Sequence, residues 1–162
     1  MSGVTKGMKT MGWVVVTAAA AGAFAAAPAQ AQTEPISGTE LAIGLEAEAA
    51  RLQTSADGWA DAASLYVAAA GHRQHEDPQA RQDLFLAANL YHQIGDLPAA
   101  MAALESAGVR ALSAGDGVLA VQMFANAAQI ADEAGLRNDA RRLRTRAADV
   151  ASAVRADGST RS

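Results

Sequence analysis

The feature that most constrains the fold of this chain is a recurring pattern of small and large side chains. In each of four segments a turn residue is followed five positions later by Ala, nine later by a large residue and twelve later by Ala. The segments are Asp57/Ala62/Tyr66/Ala69, Gly95/Ala100/Leu104/Ala107, Gly115/Ala120/Phe124/Ala127 and Gly135/Ala140/Arg144/Ala147. Because small residues renewed at every helix let neighbouring helices approach closely, the pattern predicts helical hairpins stacked into an array.

The first 31 residues have the composition of a secretory signal peptide. Lys6 and Lys9 form a positive n-region, residues 11–27 are uncharged and mostly apolar, and residues 28–31 end in a small-x-small motif. We therefore expect cleavage after Ala31 and a periplasmic or secreted protein that meets the membrane only through this segment during export. The alternative is an uncleaved anchor, for which this Ala- and Gly-rich run is short.

The charge of the remaining chain is unevenly distributed. Residues 32–134 carry 4 Arg and 14 acidic residues, whereas residues 135–162 carry 7 Arg and 3 acidic residues. A basic last helix on an acidic body favours head-to-tail contact or an anionic partner, and the alternative is a chance use of arginine. Export, net acidity and few aromatic residues argue against nucleic acid as a partner. No cysteine is present, so no disulfide can form and packing must supply the stability.

Start and stop signals predict about six helices and no strand after the signal peptide. Ser37 and Glu40 fit a capping box, and Asp77 followed by Pro78 is a strong helix start. Helices joined by such short turns pair antiparallel with their neighbours. The predicted organisation is a signal peptide 1–31, a linker 32–38, an all-α helical domain 39–156 and a disordered tail 157–162.

One segment carries a resemblance to a known family. In LFLAANLYHQIGDLPAAMAALESA, residues 84–107, a large residue, a tyrosine, a turn glycine and two small residues fall at fixed spacing: Leu84, Tyr91, Gly95, Ala100 and Ala107. The segment resembles a tetratricopeptide repeat (TPR), a 34-residue helix–turn–helix unit. Weaker units lie on 121–154, which departs from the pattern at Arg144, and on 43–76, which departs at Glu46. The resemblance implies a short TPR-like array of stacked antiparallel hairpins, and the alternative is a generic Ala-rich bundle.

Proteins that resemble TPRs usually act as scaffolds that hold a peptide or partner protein on a concave face. The resemblance places on that face the outward residues of each unit's first helix: Gln82, Phe85, Asn89, His92, Gln122 and Gln129. An outward Phe85 among amides suits a peptide groove. The alternative is that Phe85 packs into the core with Leu84 and Leu86.

Two further groups of side chains have a chemical interpretation. Arg137, Arg141 and Arg144 share a helical face and are candidates for an anionic partner, or form a solvated face paired with the acidic body. His72 and His75, followed by two carboxylates, have the residue types of a metal site. The alternative is an inter-helix loop whose carboxylates cap the next helix, so no metal site is assigned.

The sequence contains no recognisable catalytic pattern. It lacks a cysteine nucleophile, a Gly-rich phosphate loop after a strand and a His–Ser–Asp arrangement in a recognisable context. We therefore expect no enzyme and no cofactor. The expected function is an exported protein–protein interaction scaffold that binds a peptide or partner protein. The alternatives are a self-associating structural helical module and an exported metal-binding protein.

Overall fold

The structure is a computed structural model that describes residues 36–160. The predicted signal peptide 1–31 and most of the predicted linker lie outside the described residues. The described residues form six α-helices and no strand, as the sequence predicts. The helices are α1 Gly38–Leu52, α2 Trp59–His72, α3 Pro78–Gln93, α4 Leu97–Ser113, α5 Gly117–Glu133 and α6 Arg137–Thr160.

The first and third helices begin where the sequence predicts. Ser37 Oγ accepts a hydrogen bond from the Glu40 amide at 3.2 Å, and the Glu40 carboxylate accepts one from the Ser37 amide at 2.9 Å, which confirms the capping box. Asp77 caps α3 by accepting from the Gln79 amide at 2.9 Å. Pro78 occupies the first turn of α3, where a missing amide hydrogen is tolerated.

The turns that follow α3, α4 and α5 have one design. Gly95, Gly115 and Gly135 have φ values of 79°, 76° and 73°, which a residue with a Cβ rarely adopts. In each turn the glycine amide and the following amide bond back to carbonyls of the preceding helix, and this pattern is a Schellman motif. Asp96 and Asp116 then cap α4 and α5 through their side chains. The same backbone motif therefore connects α3 to α4, α4 to α5 and α5 to α6.

Each helix packs against the helices before and after it in the chain. All eight alanines of the four quartets are buried, and the least buried of them, Ala147, is only 8% exposed. The large residues Tyr66, Leu104 and Phe124 are buried with them, whereas Arg144 in the fourth quartet is exposed. The architecture is thus an all-α stack of helices, compatible with a helical repeat fold.

One boundary and one helix face differ from the sequence prediction. The helix α6 continues to Thr160, so it extends into the stretch 157–162 predicted to be a disordered tail. The turn that the sequence predicts at Asp57 is present as the 3-10 turn Ala56–Gly58, which leads directly into α2. In α1 the residue Ala49 is buried, but Ala50 and Leu41 are exposed. The core-facing stripe of α1 is therefore narrower than its apolar pattern indicates.

Candidate functional site

A groove runs between α3 and α5 on the surface of the stack, and we refer to it as the α3–α5 groove. It consists of two adjoining depressions that share Phe85. The first has a volume of about 420 Å³ and is lined by Pro78, Arg81, Gln82, Phe85, Leu119 and Met123. The second has a volume of about 240 Å³ and is lined by Phe85, Asn89, His92, Asn126, Gln129 and Glu133, with Leu104 and Ile130 below them.

Phe85 lies at the junction of the two depressions and is 40% exposed. Its neighbour Leu84 takes the core position and is 4% exposed, while Leu86 is half-buried. The orientation of Phe85 follows from helical geometry, since consecutive residues on a helix point about 100° apart. The prediction that Phe85 faces outward therefore agrees with the structure, and the alternative of a core Phe85 does not.

The far end of the groove is polar and is closed by a contact between α3 and α5. His92 Nε2 lies 3.0 Å from Glu133 Oε2, and Gln129 Nε2 donates to Glu133 Oε1 at 3.1 Å. The hydrogen bond with His92, and after it the one from Gln129, lowers the pKa of the exposed Glu133 carboxyl below its usual value. Glu133 is therefore ionised at neutral pH and places a negative charge at this end of the groove.

Five of the six predicted partner-binding residues line the α3–α5 groove: Gln82, Phe85, Asn89, His92 and Gln129. The sixth, Gln122, lines a separate depression between α5 and α6 together with Val118, Val154 and others. Sequence reasoning missed Met123, Asn126 and Glu133 on the α5 side. Asn126 carries a usable signal, because it lies one turn from Gln129 and shares its face.

The arginines of α6 bind mainly to acidic residues of the same chain. Arg144 forms an ion pair with Asp132 of α5. Arg142 and Arg146 both bind Glu105 of α4, the latter at 3.2 Å. Ion pairing and hydrogen bonding with these arginines, above all with Arg142, lower the pKa of Glu105. The basic last helix therefore docks on its own acidic body.

This docking reduces the predicted anionic-partner patch. Arg137, Arg141 and Arg144 are all exposed on α6, as the sequence predicts. Arg144 is occupied by Asp132, however, so in the described part of the chain only Arg137 and Arg141 of this patch lack an ion-pair partner. Arg137 and Arg141 lie one turn apart on α6, and two cations are a weaker anion site than three.

A buried group of charges joins α1, α2 and α3, and we call it the charge cluster: Glu46, Arg73, Asp77 and Asp83. The Arg73 guanidinium donates to Glu46 and, at 3.1 Å, to Asp77, and its Nε lies 3.5 Å from Asp83 Oδ2. Glu46 is thus half-buried in an ion pair, which explains the departure from the repeat pattern at this position.

Asp83 is the fully buried member of the charge cluster, at 0% exposure. Its Oδ1 accepts a hydrogen bond from Gln79 at 3.2 Å, and its Oδ2 accepts none. Burial raises the pKa of Asp83 to about 6, and the neighbouring Glu46 adds to this rise against the opposing effects of Gln79 and Arg73. Three carboxylates share the single Arg73 guanidinium in the charge cluster. Protonation of Asp83 therefore changes the charge balance where α1, α2 and α3 meet.

The predicted alternative of a metal site at His72 and His75 lacks a complete ligand set in the structure. Asp77, one of its two carboxylates, instead caps α3 and binds Arg73. Within residues 36–160 no group of three or more histidines or carboxylates is arranged to hold a metal ion. Within the same residues, no helix combines the length and apolarity needed to cross a membrane.

Comparisons with other proteins do not assign the chain to a family. No protein-family model, no curated protein and no solved structure matches it.

Proposed function

We propose that this protein is an exported scaffold, resembling TPR proteins, that binds a peptide or a partner protein along the α3–α5 groove. The observation that carries the proposal is the exposure of Phe85 at the centre of a continuous groove. Among the residues that the structure describes, Phe85 is the one exposed aromatic side chain, since Trp59 and Tyr91 are half-buried and Tyr66 and Phe124 are buried. Concave surfaces with apolar side chains and a few convergent polar groups are typical of binding sites.

The rest of the stack supports this interpretation. The buried alanines and the glycine turns define how α3, α4 and α5 follow one another, so we expect the groove to be formed before any partner arrives. A preformed site spends less of its binding free energy on ordering. Export, inferred from the N-terminal segment, places the site in the periplasm or outside the cell.

Site-specific photocrosslinking tests the proposal directly. A photoreactive residue at position 89, inside the α3–α5 groove, is compared with one at position 102, which lies in a different depression between α2 and α4. We expect a crosslinked partner from position 89 in the native compartment and none from position 102. Equal crosslinking from both positions would show that the groove is not the contact surface.

A variant of Phe85 separates binding from folding. Phe85→Ala removes a ring that is 40% exposed, so we expect it to lower the free energy of unfolding by about 1–2 kcal/mol, while partner capture is lost. A loss of several kcal/mol would mark Phe85 as a core residue, and unchanged capture would exclude it from the binding surface.

The alternative function, self-association through the basic last helix, has less support. The arginines of α6 that it requires are largely engaged with Glu105 and Asp132 of the same chain. We therefore expect light scattering to give a monomer at both low and high ionic strength. A dimer that dissociates when salt is added would favour self-association instead.

A further inference from the structure

The two ends of the α3–α5 groove differ in chemistry. The first depression is largely apolar, formed by Pro78, Leu119 and Met123 around the Phe85 ring, and is also lined by Arg81 and Gln82. The second ends at the Glu133 carboxylate, which is held in place by His92 and Gln129. A ligand that fits both ends must offer an apolar group at one end and a group complementary to a carboxylate at the other.

The charge near the second end favours a cation. Glu133 is exposed and accepts one hydrogen bond at each oxygen, which leaves lone pairs of the carboxylate open to a further donor. The neighbouring Asp132 is already neutralised by Arg144, so Glu133 is the acidic residue available in the groove. The surrounding chain is also acidic, since residues 32–134 carry 14 acidic residues and 4 Arg. Such a surface attracts basic partners.

The distance between the two ends sets the spacing of the ligand groups. Phe85 and His92 are seven residues apart on α3, which corresponds to roughly 10 Å at about 1.5 Å per helical residue. An extended peptide in the polyproline II conformation advances about 3.1 Å per residue and directs every third side chain to the same side, so roughly three residues cover the same distance and face the groove together. Asn89 and Asn126 lie between the ends, and their amides can bond the backbone of a peptide placed there.

We propose that the α3–α5 groove recognises an extended peptide segment that carries a large apolar side chain and, three residues away, a lysine or arginine. The apolar side chain packs against Phe85 and Met123, and the cation binds Glu133. This inference rests on the function proposed above and specifies the partner: a basic peptide rather than an acidic one.

The test is a selection from a random peptide library displayed on phage, carried out on the full chain. We expect enriched peptides to share an apolar residue and a basic residue at that spacing. Glu133→Gln should weaken their binding by at least about tenfold, because it removes the charge from a charge-assisted contact. Asp132→Asn is the matched control, since it makes the same change one residue away and outside the groove, and it should leave the affinity within about twofold.

A second control addresses the contact between His92 and Glu133. His92→Gln removes the imidazole that lines the groove and keeps the Glu133 charge, so it should weaken binding clearly less than Glu133→Gln does. If His92→Gln weakens binding as strongly as Glu133→Gln while the melting temperature is unchanged, the closed groove end is the recognised feature and the cation site is wrong.

The possible outcomes distinguish this inference from the proposed function. In one outcome the selected peptides lack a basic residue, bind Phe85→Ala more weakly and bind Glu133→Gln as well as the wild type. That outcome would overturn the cation site and leave the proposed groove function intact. If no peptide is enriched, or if every enriched peptide binds Phe85→Ala as well as the wild type, both the cation site and the proposed groove function are overturned. Enrichment of the apolar and basic pair, with loss on both Phe85→Ala and Glu133→Gln, supports both.

Discussion

The part of the molecule from α3 to α6 and the α1–α2 hairpin are built from similar Ala-rich helices but are connected in different ways. After α3, α4 and α5 the chain turns through a glycine with positive φ in the same hydrogen-bonded motif. The helices α1 and α2 are joined instead by the 3-10 turn Ala56–Gly58. The segment between α2 and α3 contains Arg73, which forms the ion pairs of the charge cluster.

This difference shows what a repeated turn contributes. Where the turn is the same, each helix starts in the same register, and the alanines of the quartets meet the neighbouring helix. In α2, which follows the 3-10 turn, the quartet alanines Ala62 and Ala69 are buried as well, so the alanine contacts do not depend on the glycine turn. What the first part of the stack has in addition is the set of ion pairs between Arg73 and carboxylates of α1 and α3.

The largest expected effect compares truncations in the two parts. Phe124 is fully buried in α5, so Phe124→Ala should lower the free energy of unfolding by about 3–5 kcal/mol through lost burial and a cavity. Leu45 in α1 is only half-buried, and Leu45→Ala should cost about 1–2 kcal/mol. Urea denaturation of both variants measures the two values. Equal losses of unfolding free energy would mean that α1 is packed as tightly as the helices from α3 to α6.

The next effect concerns pH and the charge cluster. The pKa of Asp83 is raised in the folded state to about 6 from an ordinary value of 3.8, so the folded state binds the proton more tightly. Its contribution to stability is therefore complete below about pH 4 and is lost as pH rises through about 6. The variant Asp83→Asn carries no charge at this position, so its stability does not fall in this way as pH rises.

We therefore expect Asp83→Asn to match the wild type at acidic pH and to be more stable above pH 7, by up to about 3 kcal/mol. Denaturation curves of the two proteins at several pH values give this difference directly. A difference that does not change with pH would show that Asp83 keeps its ordinary pKa and that the charge cluster does not strain the first part of the stack.

A smaller effect compares two helical glycines, one in each part. A Cβ on Gly108 of α4 would lie 2.7 Å from Phe124 Cε1, whereas one on Gly44 of α1 would meet no atom within 4 Å. Gly108→Ala should therefore cost about 1–3 kcal/mol by overpacking, although Ala is the better helix former. Gly44→Ala should stabilise by roughly 0.5–1 kcal/mol. Thermal melting distinguishes the two, and stabilisation by both would contradict the close approach of α4 and α5.

Much of the fold follows from local signals in the sequence. The capping box at Ser37, the Asp77–Pro78 helix start and the turn glycines are all local, since each depends on residues within a few positions, and the structure confirms them. The end of α6 was set too early, because Asp157 is polar, and polarity alone does not stop a helix.

The candidate site was only partly predictable because it is built from two helices. The resemblance to TPRs predicts Gln82, Phe85, Asn89 and His92 of α3 as outward residues, and all four line the groove. The partner of His92, Glu133, is 41 residues away in the sequence, and no local pattern connects them. The charge cluster was missed for the same reason, since Glu46 and Arg73 are 27 residues apart.

The central claim is that the recurring alanines are contact points where adjacent helices meet, and one pair of variants on α5 tests it most directly. Ala120 is fully buried and Ala125 is exposed on the same helix, so Ala120→Leu and Ala125→Leu make the same change on the two faces. The account predicts that Ala120→Leu lowers the free energy of unfolding by about 1–3 kcal/mol, while Ala125→Leu changes it by less than about 0.5 kcal/mol. Equal stability of the two variants would show that Ala120 does not lie at a close contact, and would contradict the account.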